Sequence, residues 1–291
     1  MMKFRLPRLS ARSLTTGAAV VGVVSLAIGA HAALNKRSLD AARATHMAAD
    51  HGQLPAASRY ALVIGNGHYP DASAPLAQPI NDARAMTGAL RREGFEVDVV
   101  EDASRDDMLR AVDRMKQRVG KDSVVMLYFG GYGIQAGREN YMIPVDARIW
   151  KEADVRRSGV SIESVLDAMK ESGVRTKLAI VDASRRNPYE RRFRAYSHGL
   201  AAIDAPSNAL VMTSMTPGKV IEDGKGDNSV LVSALLGSTS SRFASAEAAF
   251  TKTRLAVTRA TNGAQVPSVS SSLVDDVSLT PVADATPNSG G

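Results

Sequence analysis

The sequence predicts a three-layer α/β/α sandwich built on a mostly parallel sheet. Two observations carry this. Four short runs, Tyr60–Ile64, Ser123–Phe129, Lys177–Val181 and Ala209–Thr213, are apolar almost throughout, as strands covered on both faces must be. Between and beyond them lie stretches whose apolar residues recur at helical spacing, the mark of helices packing one face onto a sheet. Strands alternating with amphipathic helices give layered α/β architecture.

In chain order, Tyr60–Ile64 is stopped by Gly65-Asn66-Gly67. Asn81 is placed to cap a helix running to Gly94, with Met86, Ala89 and Leu90 on one face. Phe95–Val100 alternates and reads as a strand. Ser104 caps the next helix, where Met108, Ala111, Val112, Met115 and Val119 follow a helical period. Ser123–Phe129 stops at Gly130-Gly131-Tyr132-Gly133. Glu139–Pro144 is a short extended piece. Ser161 caps a helix with Ile162, Val165, Leu166 and Met169 inward, and helical patterns recur at Val230–Leu236 and Ala244–Thr261. Sheets of this kind gather function at the carboxyl ends of their strands. The loops Gly65–Tyr69, Gly130–Gln135, Asp182–Asn187 and Ser214–Gly218 are therefore the ones to read.

The domain is expected over residues 58–280 of the 291. Lys3, Arg5, Arg8 and Arg12 precede an uncharged apolar stretch, residues 14–30, and Ala30-His31-Ala32 is a cleavage pattern. Residues 1–32 thus have the layout of a secretory signal peptide, which predicts export to a periplasm or the exterior. Left uncleaved, residues 14–30 are just long enough to anchor the chain in a membrane. Residues 33–57 read as an alanine-rich linker and 281–291 as a small, polar, disordered tail. Without residues 1–32 the net charge falls from +6 to +2, so the basic balance does not argue for nucleic acid as a partner.

The chain has no cysteine, which excludes disulfides, thiolate metal sites and a cysteine nucleophile. Its five histidines show no metal-binding spacing, and no metal or other cofactor is expected. There is no Walker A sequence, and Gly65-Asn66-Gly67 lacks the third glycine of a dinucleotide fingerprint.

Two strand-end loops are specific. Asp122-Ser-Val-Val-Met-Leu-Tyr-Phe-Gly-Gly-Tyr-Gly-Ile-Gln135, followed by Asn140-Tyr-Met-Ile-Pro-Val-Asp146, resembles the histidine loop of the caspase-like peptidases (peptidase C14), and most of all their bacterial metacaspase-type, or orthocaspase, branch. Ala179-Ile-Val-Asp-Ala-Ser-Arg-Arg-Asn-Pro-Tyr-Glu190 resembles their cysteine loop, Asp-Ala-Cys-Arg-x-Asn-Pro. The resemblance runs from about Arg59 to Val274 and includes Leu62–Asn66 with Tyr69, Asn81-Asp-Ala83, Gly199-Leu-Ala201, Pro217-Gly218, Asp223-Gly224 and Thr261–Pro267. It implies a caspase-like fold. Where the family has its catalytic histidine and cysteine, this chain has Tyr132 and Ser184.

That pair is chemically poor. A serine hydroxyl needs a base as it attacks. A tyrosine phenol, with a reference pKa of about 10, is about one part in a thousand ionised at neutral pH. No Gly-x-Ser-x-Gly or Ser-x-x-Lys pattern replaces the dyad. His68, on the first strand-end loop, is the candidate substitute base; otherwise it is a polar loop residue. The resemblance also implies a pocket for arginine or lysine, with Asp182 and Asp223 as its carboxylates and the backbone around Gly131 and Gly133 as oxyanion donors. Asp182 reads equally as a strand-end carboxylate accepting backbone N–H groups. The arginines at 185, 186, 191, 192 and 194 read as a solvated loop, a contact for an acidic partner, or a relic of a processing loop.

The expected function is that of a caspase-fold pseudopeptidase recognising a basic peptide, a partner protein or an active homologue. The alternatives are a slow serine peptidase cleaving after arginine or lysine, and a structural envelope module. Nothing in the residues decides calcium dependence, which several metacaspase-type enzymes have.

Overall fold

The computed structural model describes residues 58–70, 75–189, 199–222, 224, 226–239, 245–275 and 277–279. The expected signal segment, linker and tail lie outside these, as do Asp223, His198, Arg191, Arg192 and Arg194.

The main sheet has six strands in the order β2-β1-β3-β7-β8-β9. They are β1 (Arg59–Gly65), β2 (Glu96–Glu101), β3 (Val124–Gly130), β7 (Thr176–Asp182), β8 (Ala209–Thr213) and β9 (Ser268–Ser271). All pair in parallel except β9, which runs antiparallel to β8. β4 (Gly133–Ala136), β5 (Glu139–Met142) and β6 (Val160–Ser161) form a small antiparallel sheet.

Alternating side chains of the main sheet face two separate cores. Leu62, Ile64, Val125, Leu127, Phe129 and Val181 pack against α2 (Arg105–Arg118) and α4 (Ile162–Glu171). Val63, Met126, Tyr128, Ile180 and Met212 pack against α1 (Pro79–Arg92), α5 (Val230–Thr239) and α6 (Ala246–Ala260). Both faces are covered, which is why β1, β3 and β7 read as unbroken apolar runs. The three-layer α/β expectation holds.

Several local expectations hold and others change. Ser104 and Asp107 form a reciprocal capping box at α2, and Ser161 caps α4. Asn81 does not cap α1. That helix starts one turn earlier in sequence terms, at Pro79, whose fixed φ suits a first helical position. The Asn81 amide instead donates to the Asp227 carbonyl at 3.1 Å. The last helix begins at Ala246, capped by Ser245. Short, polar α3 (Glu152–Ser158) and β9 give too little apolar period to be read in advance.

β2 is an edge strand, and charge guards it. Arg84 of α1 pairs with Glu101 at 2.7 Å, Arg114 of α2 with Asp98 at 2.8 Å, and Arg118 of α2 with Glu96 at 2.5 Å.

Candidate functional site

The strand ends of the main sheet are level. Gly65 stands opposite Glu101 and Gly130, and Gly130 opposite Asp182, so β2, β1, β3 and β7 stop along one line. Every loop singled out in the sequence rises from this edge.

Past its end, β3 continues to pair with β7. The N–H of Gly131 donates to the Asp182 carbonyl at 3.3 Å, and that of Gly133 to the Ala183 carbonyl at 3.0 Å. These N–H groups were expected to face an oxyanion. They are instead held inside the fold, because the two chains stay in register beyond the last strand residues. The glycines are needed for closeness. A Cβ on Gly131 would meet the Tyr69 hydroxyl at 2.6 Å, and one on Gly133 would meet the Ala183 Cβ at 2.9 Å.

Tyr132 lies between them and is 7% exposed. Its N–H donates to the Tyr69 hydroxyl at 3.0 Å, and its carbonyl accepts from Ile143 at 3.0 Å. The Tyr69 hydroxyl in turn donates to the Ile143 carbonyl at 3.0 Å. The two rings meet edge to face, 4.8 Å between centroids. Tyr132 thus sits in an apolar cluster with Tyr69, Ile134, Tyr141 and Ile143. Burial pushes the Tyr69 phenol well above its usual pKa range, so this support is a neutral one.

Ser184 is 1% exposed. It occupies the centre of a tight turn closed by the Arg185 N–H donating to the Ala183 carbonyl at 2.8 Å. Its N–H donates to the Ser214 hydroxyl at 3.3 Å, and its carbonyl accepts from the Ile221 N–H at 2.8 Å.

His68 is exposed and well oriented, but elsewhere. Its Nδ1 lies 2.6 Å from Asp102 Oδ2. Asp102 Oδ1 accepts from the N–H groups of Gly67 and His68 at 2.9 and 3.0 Å. Burial opposes the Asp102 charge, yet these donors and the His68 ring outweigh it and lower the carboxyl pKa. Asp102 adopts a φ of +47°, an uncommon conformation for a residue with a Cβ. Asp102 follows β2, on the side of β1 away from β3 and β7. The ring is tethered away from Ser184.

Of the expected pocket carboxylates, Asp223 lies outside the described residues. Asp182 is fully buried, and among the described residues neither of its carboxylate oxygens accepts a hydrogen bond. Arg185 Nη1 lies 3.6 Å from Asp182 Oδ1. Arg185 was read with an arginine cluster taken as a solvated loop, an acidic partner's contact or a processing-loop relic; it is 3% exposed. Nη1 donates to the Gly131 carbonyl at 3.0 Å and also to the Asp182 carbonyl. Arg186, next in sequence, is exposed.

Two groups nearby carried no individual signal. Asp82, in the first turn of α1, is fully buried. Its Oδ1 accepts from Asn228 Nδ2 and the Ser229 N–H, both at 2.9 Å. Burial first, and then the charge of Asp182, raise its pKa to about 6. Tyr128 on β3 has a buried hydroxyl with no hydrogen-bond partner among the described residues, and burial followed by Asp82 and Asp182 pushes its pKa far up. Asp82 was visible only as part of Asn81-Asp-Ala83, and Tyr128 only as part of an apolar strand.

Residues 58–278 match the family model described as the caspase domain. The chain belongs to the caspase-domain family. It is a member without a cysteine. It is also 29% identical over 140 residues to the mouse mucosa-associated lymphoid tissue lymphoma translocation protein 1 homolog, and 28% identical over 136 residues to the human protein of that name. These matches cover 48% and 46% of this chain but 16% of each relative, so the likeness concerns a small part of those longer proteins.

Proposed function

We propose that this chain is a caspase-fold pseudopeptidase of the metacaspase-type branch, in which Tyr132 and Ser184 stand at the lost histidine and cysteine positions. Its role is recognition or regulation, directed at a basic peptide, a partner protein or an active homologue. Export through residues 1–32 belongs to the same proposal.

One observation carries it: both positions are packed as interior residues. The Tyr132 ring supports the fold against Tyr69, and Ser184 is 1% exposed. A nucleophile needs a base within hydrogen-bond reach and an oxyanion site beside it. Here His68, the histidine among the described residues, is tethered to Asp102 at the end of β2, and the N–H groups of Gly131 and Gly133 are engaged internally.

The test is turnover of fluorogenic arginine, lysine and aspartate peptides by residues 33–291, with and without calcium, beside Ser184→Ala. The expected result is no hydrolysis above that control. Hydrolysis that disappears in Ser184→Ala would make the protein a serine peptidase and end this reading.

A further inference from the structure

Away from the strand-end site, one aromatic residue breaks the pattern of the rest. Among the described residues every tyrosine and phenylalanine is buried. Trp150, the single tryptophan of the chain, is 66% exposed. A wide amphipathic ring left in water suits a place where one side is apolar and the other wet.

The loop that carries it is firmly held. Ile149 is fully buried and packs with Ala147 and Val155 in the same apolar cluster as Tyr132. Asp154 of α3, itself 3% exposed, accepts from the N–H groups of Trp150 and Lys151 at 3.0 and 3.2 Å. Its other oxygen accepts from Arg157 Nη2 at 2.8 Å. One buried carboxylate thus gathers the Trp150 loop and α3 into a single support. Little freedom of the backbone remains to be lost when the ring meets a partner.

The surroundings are basic. Arg148, Lys151, Arg156 and Arg157 are exposed. The nearby carboxylates are already engaged. Glu152 pairs with Arg156 at 3.3 Å and Asp154 with Arg157. Asp146 Oδ1 accepts from the Arg105 N–H at 3.0 Å, and Glu139 accepts from the Tyr141 hydroxyl at 2.6 Å. Arg148 and Lys151 form no ion pair among the described residues. Arg156 also lies against the β4–β5 hairpin, where a Cβ on Gly137 would meet its Nη2 at 2.9 Å.

An isolated ring among cations fits one kind of partner. The core of a protein interface is depleted of charge, whereas here charged residues flank the ring on both sides in sequence. Single-stranded nucleic acid is held by several rings in succession, and this surface offers one. A bilayer surface suits both features: tryptophan settles at headgroup level, and arginine and lysine beside it attract anionic phosphates. Residues 1–32, read from sequence as a membrane-engaging segment, are joined to the domain by the stretch 33–57 alone.

We propose that Trp150, with Arg148, Lys151, Arg156 and Arg157, forms a docking face that seats the domain on anionic phospholipid. The contact is made by the domain itself and depends neither on the dyad positions nor on residues 1–32.

The chain supplies its own probe, because tryptophan fluorescence reports Trp150 alone. Residues 33–291, which contain the whole described domain, are mixed with vesicles of equimolar phosphatidylglycerol and phosphatidylcholine, or of phosphatidylcholine only. The expected result is a blue shift of emission and sedimentation with the anionic vesicles. Partition should be at least about tenfold weaker with the neutral ones, and should weaken as salt is added. Arg148→Glu/Lys151→Glu and Trp150→Ala, followed by sedimentation, should each weaken it by about tenfold or more. Both change exposed positions, and urea unfolding curves check that each variant keeps its fold. No sedimentation of the wild type, unshifted emission from vesicle-bound protein, or wild-type partition in either folded variant would overturn the proposal. So would a blue shift produced by polyglutamate and not by vesicles, which would assign the face to an acidic protein instead.

Discussion

Two pairs of residues sit at the carboxyl edge of the same sheet and have opposite characters. His68 and Asp102, at the ends of β1 and β2, form an exposed, oriented hydrogen-bonded pair. Tyr132 and Ser184, at the ends of β3 and β7, are buried and serve as packing and turn. The edge pair is exposed and oriented, whereas the central pair is packed into the interior. At the centre the neighbouring charged groups, Asp182 and Arg185, are buried as well.

That contrast can be broken most severely at Arg185. Arg185→Ala leaves Asp182 buried without its cation, and should lower unfolding free energy by about 3–5 kcal/mol in urea denaturation. A small loss would mean that Asp182 and Arg185 are not an ion pair in function.

Next in size is a pH effect from Asp82. Its folded-state pKa is raised from 3.8 to about 6. The folded state thus favours the protonated form, and the stability that this contributes is complete below about pH 4 and lost as pH rises through about 6. The loss is on the order of 3 kcal/mol. Asp82→Asn should flatten stability between pH 4 and 7, since an amide oxygen can still accept from Asn228 and Ser229. An unchanged slope in Asp82→Asn would assign the titration to another group.

Tyr69→Phe comes third. It removes the hydroxyl that joins the Tyr132 N–H to the Ile143 carbonyl, taking the acceptor from the buried N–H while the carbonyl keeps the Asn66 amide. A cost of about 1–3 kcal/mol is expected in urea denaturation. His68→Ala is the smallest, under about 1 kcal/mol, because the pair it breaks is exposed. If His68→Ala cost more than Tyr69→Phe, the contrast between a packed centre and a decorative edge would be reversed.

The strands were legible because both faces of the sheet are covered, so β1, β3 and β7 are apolar without interruption. The loops were legible as motifs, but the structure shows how many motif residues are braces. Asn66 holds Ala103 and Ile143, Asn140 holds Glu163 and Ala201, and Gln265 holds the Ser214 carbonyl. The burial of Asp182 and Arg185 was not legible. A run of arginines gives no clue that one of them turns inward, since that depends on the turn at Ser184 and not on the residue type. The engagement of Gly131 and Gly133 was hidden for a similar reason: register beyond a strand's end leaves no trace in composition. Polar β9 was hidden because it is held by backbone pairing at an edge, where apolar side chains are not required.

The three arginine–carboxylate pairs along β2 have a consequence for local motion. An outermost strand is normally among the first to open, and here it is strapped by Arg84 from α1 and by Arg114 and Arg118 from α2. These straps are exposed and so are weakened by added salt, whereas the apolar contacts beneath β1 and β3 are not. Raising ionic strength should therefore speed amide hydrogen exchange across Glu96–Glu101 while leaving exchange in β3 and β7 unchanged, a fraying of one border of the sheet that a global unfolding curve would never register.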